Sequence, residues 1–315
     1  MNLKTSKRQR KQTARDLSSL DTEKANRAST NLDNKTALQI VQIINQEDGK
    51  IAPAVKRALP QIAQAIDLIA DALSRGGRLI YVGAGTSGRI AALDAVECPP
   101  TFDVDPEAVQ FVIAGGPKAL ASAVETDEDS SELGRKTIAK KRPTGKDVIV
   151  GIAASGRTPF TVAAVKYARA QGAKTVAVVC NSNSPLGKAA HVEIVAEVGP
   201  EVIAGSTRLK AGTAQKMILN MLTTGAMTRL GFVYGNLMVN VPPRNAKLAE
   251  RGIGILQKAA ALDRKAARKL LSSAGGRVQV ALLMAKAQVS RVQAIAALKQ
   301  SGGQVRKAIV LAKTT

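Results

Sequence analysis

One local pattern recurs through the middle of the chain and limits what it can fold into. A short apolar run enters a loop of small residues, and apolar residues at helical spacing follow. "RLIYVGAG" leads into "SGRIAALDAVE", "VQFVIAGG" into "PKALASAVE", and "DVIVGIAASGRTP" into "FTVAAVKYARAQ". "AKTVAVVCN" and "HVEIVAEV" read as two further strands. Strands that are apolar at nearly every position are buried on both faces, and strands alternating with helices make right-handed βαβ units. The pattern therefore predicts an α/β fold, a doubly wound parallel sheet covered by helices. Helical spacing over 36–44 and 51–74 puts two or three helices before the first strand, and Pro99-Pro100 predicts the end of the helix before them. A long helix is expected within 205–231. Beyond residue 246 strand patterns stop, and short Ala/Leu/Lys helices separated by "SSAGG" and "QSGG" predict a small all-helical domain. The expected organisation is a basic disordered tail over 1–20, an α/β domain over 21–245 and a helical domain over 246–315.

Composition removes several classes of function. Aromatic residues make up 2% of the 315 residues and Trp is absent, which argues against stacking platforms for bases or sugars. Cys98 and Cys180 lack metal-type spacing and His191 is the only histidine, so neither a zinc site nor a disulfide framework is expected. No apolar run reaches the length of a membrane span, and the N-terminus has no apolar signal core. These features predict a soluble, cytoplasmic protein. The first fifteen residues are basic and acid-free, as in a transit peptide, but lack the apolar face of a targeting helix. The formal charge of +22 is concentrated at the ends: residues 1–15 hold six Lys/Arg and no acid, and residues 243–315 hold fifteen against two acids. Basic ends can contact nucleic acid. No groove-reading motif accompanies them, and solvated charge is the favoured reading.

Gly83, Gly85 and Gly88 have the Gly-x-Gly-x-x-Gly spacing of a dinucleotide loop. That fingerprint also needs an acid about twenty positions on, at the end of the second strand. Here that strand ends "VIAGG", and the loop itself holds Thr86 and Ser87. Three loops share another composition: "GTSGR" (85–89), "ASGRT" (154–158) and "GSTR" (205–208). Each combines glycine, hydroxyls and arginine near a helix start, where free N–H groups and the helix dipole favour an anion. Loops at the carboxyl ends of parallel strands converge on one crevice, which points to a phosphate site.

The blocks "YVGAGTSGRIAALDAVECPPTF", "VIAGGPKAL", "VGIAASGRTP" and "VGPEVIAGSTRLKAGTAQKMILNMLTTGAM", with "LDTEKANRAS" and "NLMVNVPPRNAKLAERG", carry a closer likeness. Over about residues 20–315 the sequence resembles the N-acetylmuramic acid 6-phosphate etherases, of the sugar isomerase (SIS) family of phosphosugar-binding folds. The resemblance implies a carbon–oxygen lyase of amino-sugar catabolism and peptidoglycan recycling, homodimeric, with no metal and no cofactor. Its substrate would be a small phosphosugar, whose lactyl ether is cleaved to N-acetylglucosamine 6-phosphate and D-lactate by elimination and water addition. Carried onto matching positions, the resemblance makes Glu97 of "ECPPTF" the acid that protonates departing lactate and Glu128 of "ETDED" the base at C2. Glu97 ends an apolar helix, where the dipole disfavours a carboxylate and no capping role explains it. The family usually has Gly-Ala where this chain has Thr126-Asp127, and the added carboxylate, with Glu125 and Asp129, is expected to raise the Glu128 pKa.

Resemblance and loop chemistry agree on Ser87, Ser155, Gly156 and Thr158 for the phosphate, with Thr86 and Arg157 beside them. Ser206, Thr207 and Lys210 are expected to complete the sugar or carboxylate pocket. The cation for the lactyl carboxylate stays open among Arg89, Arg157, Arg208 and Lys210. His191 reads as structural. The alternative function is a non-catalytic phosphosugar sensor, as the related glucokinase regulatory protein is, and an aldose–ketose isomerase is a third reading. Retention of Glu97 and Glu128 favours the etherase.

Overall fold

Tyr81 lies at the centre of the first strand with its ring fully buried, in a strand that is buried at all positions. The computed structural model describes residues 20–241 and 246–314, so the tail expected over 1–20 lies outside the described residues except for Leu20. Five parallel strands form the sheet in the order β2-β1-β3-β4-β5: β1 (Leu79–Gly83), β2 (Val109–Ile113), β3 (Val148–Ile152), β4 (Lys174–Val179) and β5 (Val192–Val195). The sheet reverses direction of winding at β1 and β3, so the loops after these two strands face a common crevice.

Alternation along each strand separates two cores. Leu79, Tyr81, Val148 and Val150 pack under α2 (Ile51–Arg57), α3 (Leu59–Ser74), α4 (Gly85–Phe102) and α8 (Lys210–Arg229). Ile80, Val82, Ile149 and Ala177 pack on the other face with α5 (Ser131–Lys140), α6 (Pro159–Ala170) and the short α7 (Pro185–Ala189). Before them, α1 (Ala37–Asp48) starts with a capping box in which Thr36 and Gln39 satisfy each other's backbone N–H.

Two expected elements differ. The helix after β1 does not stop before Pro99-Pro100 but continues to Phe102, ending where Asp103 takes a left-handed conformation (φ 51°) and its N–H bonds the Pro99 carbonyl. The stretch after β2 forms only a 3₁₀ turn, Gly116–Leu120, because Gly115 and Gly116 are both at positive φ and delay any helical start. The irregular chain that follows, up to Ser130, carries Glu128.

A hairpin, β6 (Val233–Tyr234) and β7 (Leu237–Met238), leads to α9 (Ala246–Ala260), α10 (Arg264–Ser273), α11 (Val278–Ala287), α12 (Arg291–Gln300) and α13 (Val305–Thr314). These helices enclose a third core that also takes in Val239 and Val241, ahead of the change in composition. Among the described residues no helix is long and apolar enough to cross a membrane.

At Gly134 the helix α5 meets the backbone of α6 with no side chain between them. A Cβ on Gly134 would lie 2.1 Å from the Phe160 carbonyl oxygen, so only glycine fits. Gly134→Ala is expected to cost about 1–3 kcal/mol in urea unfolding, through separation of these helices.

Candidate active site

The crevice at the carboxyl end of the sheet is built from helix starts. The residues preceding α4 and α6, Ala84 and Thr158, make no side-chain capping bond. Neither start is closed by a capping side chain; in α6 Pro159 has no N–H and the Phe160 N–H goes to the Glu128 carbonyl, so α4 offers the freer first turn for an anion. Ser87 lies in the first turn of α4, and Ser155 stands before α6, where its hydroxyl accepts from the Arg157 N–H at 3.3 Å. Gly156 has φ 67°, and a Cβ there would lie 2.4 Å from the Ser184 Cβ, so this turn requires glycine. Thr86, Arg157 and Thr158 are half-buried along the same edge.

Glu128 lies between these helix starts. Its backbone carbonyl accepts from the Phe160 N–H at 3.0 Å, tying the loop to the first turn of α6. Its Oε1 is 3.0 Å from where a Gly85 Cβ would be, so the carboxyl rests against the start of α4. Burial raises its pKa, the charges of Glu125 and Asp129 raise it further, and Arg89 opposes them. Arg89 also donates to the Ser122 carbonyl at 2.8 Å and so holds the loop that carries Glu128.

Glu97 is elsewhere. It lies on α4 twelve residues beyond Gly85, about 18 Å along the helix at 1.5 Å per residue. There it is exposed, on a stretch with exposed Leu93 and Val96. Within one chain the two expected catalytic carboxyls do not meet.

The third loop differs from the first two in its electrostatics. Glu201, fully buried, accepts from the N–H groups of Lys210 and Ala211, both at 3.0 Å, so a carboxylate of the chain already occupies the start of α8. Lys210 is 1% exposed and its ammonium contacts Glu47 at 2.5 Å. This corrects the expectation that Lys210 lines the sugar or carboxylate pocket: its charge is neutralised inside the protein. Burial would raise the Glu47 carboxyl, but hydrogen bonds from Lys210, Lys50 and Asn26 outweigh burial and hold its pKa at about 2. Ser206 and Thr207 remain half-buried and the Thr207 carbonyl accepts from Gly212, which itself lies against the Thr86 methyl. His191 accepts from the Thr175 N–H at 3.1 Å, away from these loops, where β4 and β5 begin at the opposite edge of the sheet.

Four polar residues at or behind the site were not singled out from sequence: Glu47, Glu201, Asp94 and Gln215. Gln215 accepts from the Ser87 hydroxyl at 2.9 Å. Asp94, on α4, accepts from the Tyr81 hydroxyl at 2.8 Å and from Thr223 at 3.2 Å, and burial pushes its pKa up to about 6. The only signal for Gln215 and Asp94 is a polar residue inside an otherwise apolar helical stripe. Among the described residues no group of three or more His, Cys, Asp or Glu could hold a metal.

Family models place this architecture in a class. The glucokinase regulatory protein N-terminal SIS domain matches residues 61–169, and the SIS domain matches residues 141–225. The chain is thus an SIS-domain protein. It is 51% identical to the N-acetylmuramic acid 6-phosphate etherase of Aeromonas hydrophila, over 86% of this chain and 91% of that one. Etherase 1 of Enterococcus faecalis is 49% identical over 86% of this chain and 90% of its own, and the Klebsiella aerogenes etherase 50% over 86% and 91%. The chain belongs to the N-acetylmuramic acid 6-phosphate etherase family.

Removing one partner from the Glu47–Lys210 pair leaves a buried charge. Lys210→Met is expected to lose about 3–5 kcal/mol of stability near neutral pH. Glu47 has a depressed pKa, so its contribution is present above 4.5 and is lost as pH falls toward about 2. The difference between wild type and variant in urea unfolding should narrow over that interval.

Proposed function

We propose that this protein is a carbon–oxygen lyase that splits the lactyl ether of N-acetylmuramic acid 6-phosphate into N-acetylglucosamine 6-phosphate and D-lactate. The observation that carries the reading is a carboxyl of raised pKa held between two helix starts that lack side-chain caps. The phosphate is bound by the first turn of α4 with Ser87 and by the loop before α6 with Ser155, Gly156, Arg157 and Thr158, and Thr86, Ser206 and Thr207 border the sugar. With the sugar ring open, the C1 aldehyde acidifies the C2 proton. Glu128 takes that proton, and the electron pair forms the C2–C3 double bond as the C3–O bond breaks. Glu97 gives its proton to the departing lactate oxygen. Glu97 then takes a proton from water, whose oxygen adds at C3, and protonation at C2 completes the product. Glu128 acts at C2, one carbon from the ether at C3, and Arg89 beside it suits the lactyl carboxylate.

Glu97 is supplied by the second subunit of a homodimer. Its distance along α4 from Glu128 and the exposure of Leu93 and Val96 on the same stretch support this, since exposed apolar residues beside a functional acid suit a subunit interface. Each of Glu97→Ala and Glu128→Ala should lower D-lactate release about 10²–10⁴-fold. Mixing the two inactive variants under conditions of subunit exchange tests the shared site. A mixed dimer has one site with both glutamates, and random pairing restores about a quarter of wild-type activity. Absence of any recovery in a mixture that has exchanged subunits would show that each chain is self-sufficient.

The raised pKa of Glu128 has a kinetic sign. A base works when ionised, so kcat/KM should fall on the acid side at a pH above that of an ordinary carboxylate. Glu125→Gln combined with Asp129→Asn removes two neighbouring negative charges and should shift that acid limb to lower pH. An unmoved limb in the double variant would assign the base role to another group.

A further inference from the structure

Gln215 is 1% exposed, on the inner face of α8, and its side chain is only half satisfied. Its Oε1 accepts from the Ser87 hydroxyl at 2.9 Å, while its Nε2 is buried with no hydrogen-bond partner. Turning the amide over leaves the problem in place. Ser87 then accepts from Nε2, and Oε1 becomes the unpartnered end. A buried amide of this kind is costly, and an unpaired N–H is rarer in folded proteins than an under-used carbonyl oxygen. For Gln215 alone, the arrangement in which Nε2 donates to Ser87 is the better of the two.

The two arrangements differ in what they leave Ser87 to do. A serine hydroxyl has one proton to give. While it is given to Gln215, it is not available to an anion at the start of α4. If Nε2 donates to Ser87 instead, the hydroxyl proton is freed to point outward. We infer that Gln215 is a positioning residue for the phosphate: in the bound state its Nε2 donates to the Ser87 oxygen, which leaves the Ser87 proton for the phosphate. The inference rests on the reading above that Ser87 binds the substrate phosphate. In the bound state the Ser87 proton makes a charge-assisted hydrogen bond, and the Gln215 end left without a partner is its carbonyl oxygen.

The test measures binding of N-acetylglucosamine 6-phosphate by calorimetry to wild type, Gln215→Glu, Gln215→Met, Ser87→Ala and the Ser87→Ala/Gln215→Glu double variant. When ionised, the carboxylate that Gln215→Glu introduces can only accept and keeps the Ser87 proton; because burial raises a carboxyl pKa, the titrations are run across about pH 6–9 to follow that ionisation. Gln215→Glu is expected to weaken binding about tenfold or more, Gln215→Met several-fold less, and the double variant no more than the weaker single variant. A charge effect alone would make the two losses add, and a purely structural role would make Met as harmful as Glu. Either result overturns the inference. Wild-type protein that fails to bind the phosphosugar overturns the functional reading itself, and the inference with it. Should the Gln215→Glu variant not fold, the side-chain amide protons of Gln215, identified by their absence in Gln215→Met, give a second readout. They should shift on adding the phosphosugar to wild type and not to Ser87→Ala. Unmoved signals in wild type overturn the proposal.

Discussion

A parallel strand buried on both faces has no room for chemistry along its length. In this protein every side chain of β1 and β3 is committed to one of two apolar cores, so polar groups can act only where the strands end. The helices that follow run back antiparallel to the strands, which aims their N-termini at the same edge. The gathering of helix starts at the crevice follows from this packing before any particular serine is considered. Glycines at 85, 134 and 156 then let the backbone approach closely enough to bring the loop of Glu128, α4 and α6 together.

The ionised groups left inside the protein serve mainly to hold these helices in position. Glu201 satisfies the first N–H groups of α8, where a carboxylate also complements the dipole. Glu47 and Lys210 join α1 to the same helix end, and Asp94 joins α4 to β1 and α8. Asp147 has a similar role at the opposite edge of the sheet, accepting from the backbone and guanidinium of Arg78 and from the Thr144 N–H. Each of these groups costs desolvation: for Glu47 and Asp147 the hydrogen bonds outweigh it, and for Asp94 and Glu201 they offset it only in part.

Much of this can be read from the chain alone, because strand and helix periodicity are local. Five strands, the glycine-hydroxyl loops and the helical C-terminus all show within windows of ten or fifteen residues. What cannot be read depends on distance in sequence. Lys210 reads as a substrate cation because its partner, Glu47, lies 163 residues earlier in a helix with no distinguishing motif. Glu201 reads as part of a loop, since capping by a residue nine positions upstream requires the chain to fold back on itself. The prolines at 99 and 100 read as a helix stop, although the turn that contains them is stabilised by the packing of Cys98 and Phe102 in the core. The separation of Glu97 from Glu128 is likewise invisible in a motif, which records the order of residues and not the length of the helix between them.

The β6–β7 hairpin belongs to two bodies at once. The chain leaving it buries Val239 and Val241 with the C-terminal helices, Tyr234 stacks beneath the Arg306 guanidinium, and the neighbouring Asn240 amide reaches back to the Phe102 carbonyl at the end of α4. A protein shortened at the change in composition near residue 246 would therefore present two bare valines to solvent and loosen the anchor of α4 at its far end. The helical segment is in this sense the socket of the helix that carries Glu97, and excising it as an independent module would alter the catalytic half of the molecule.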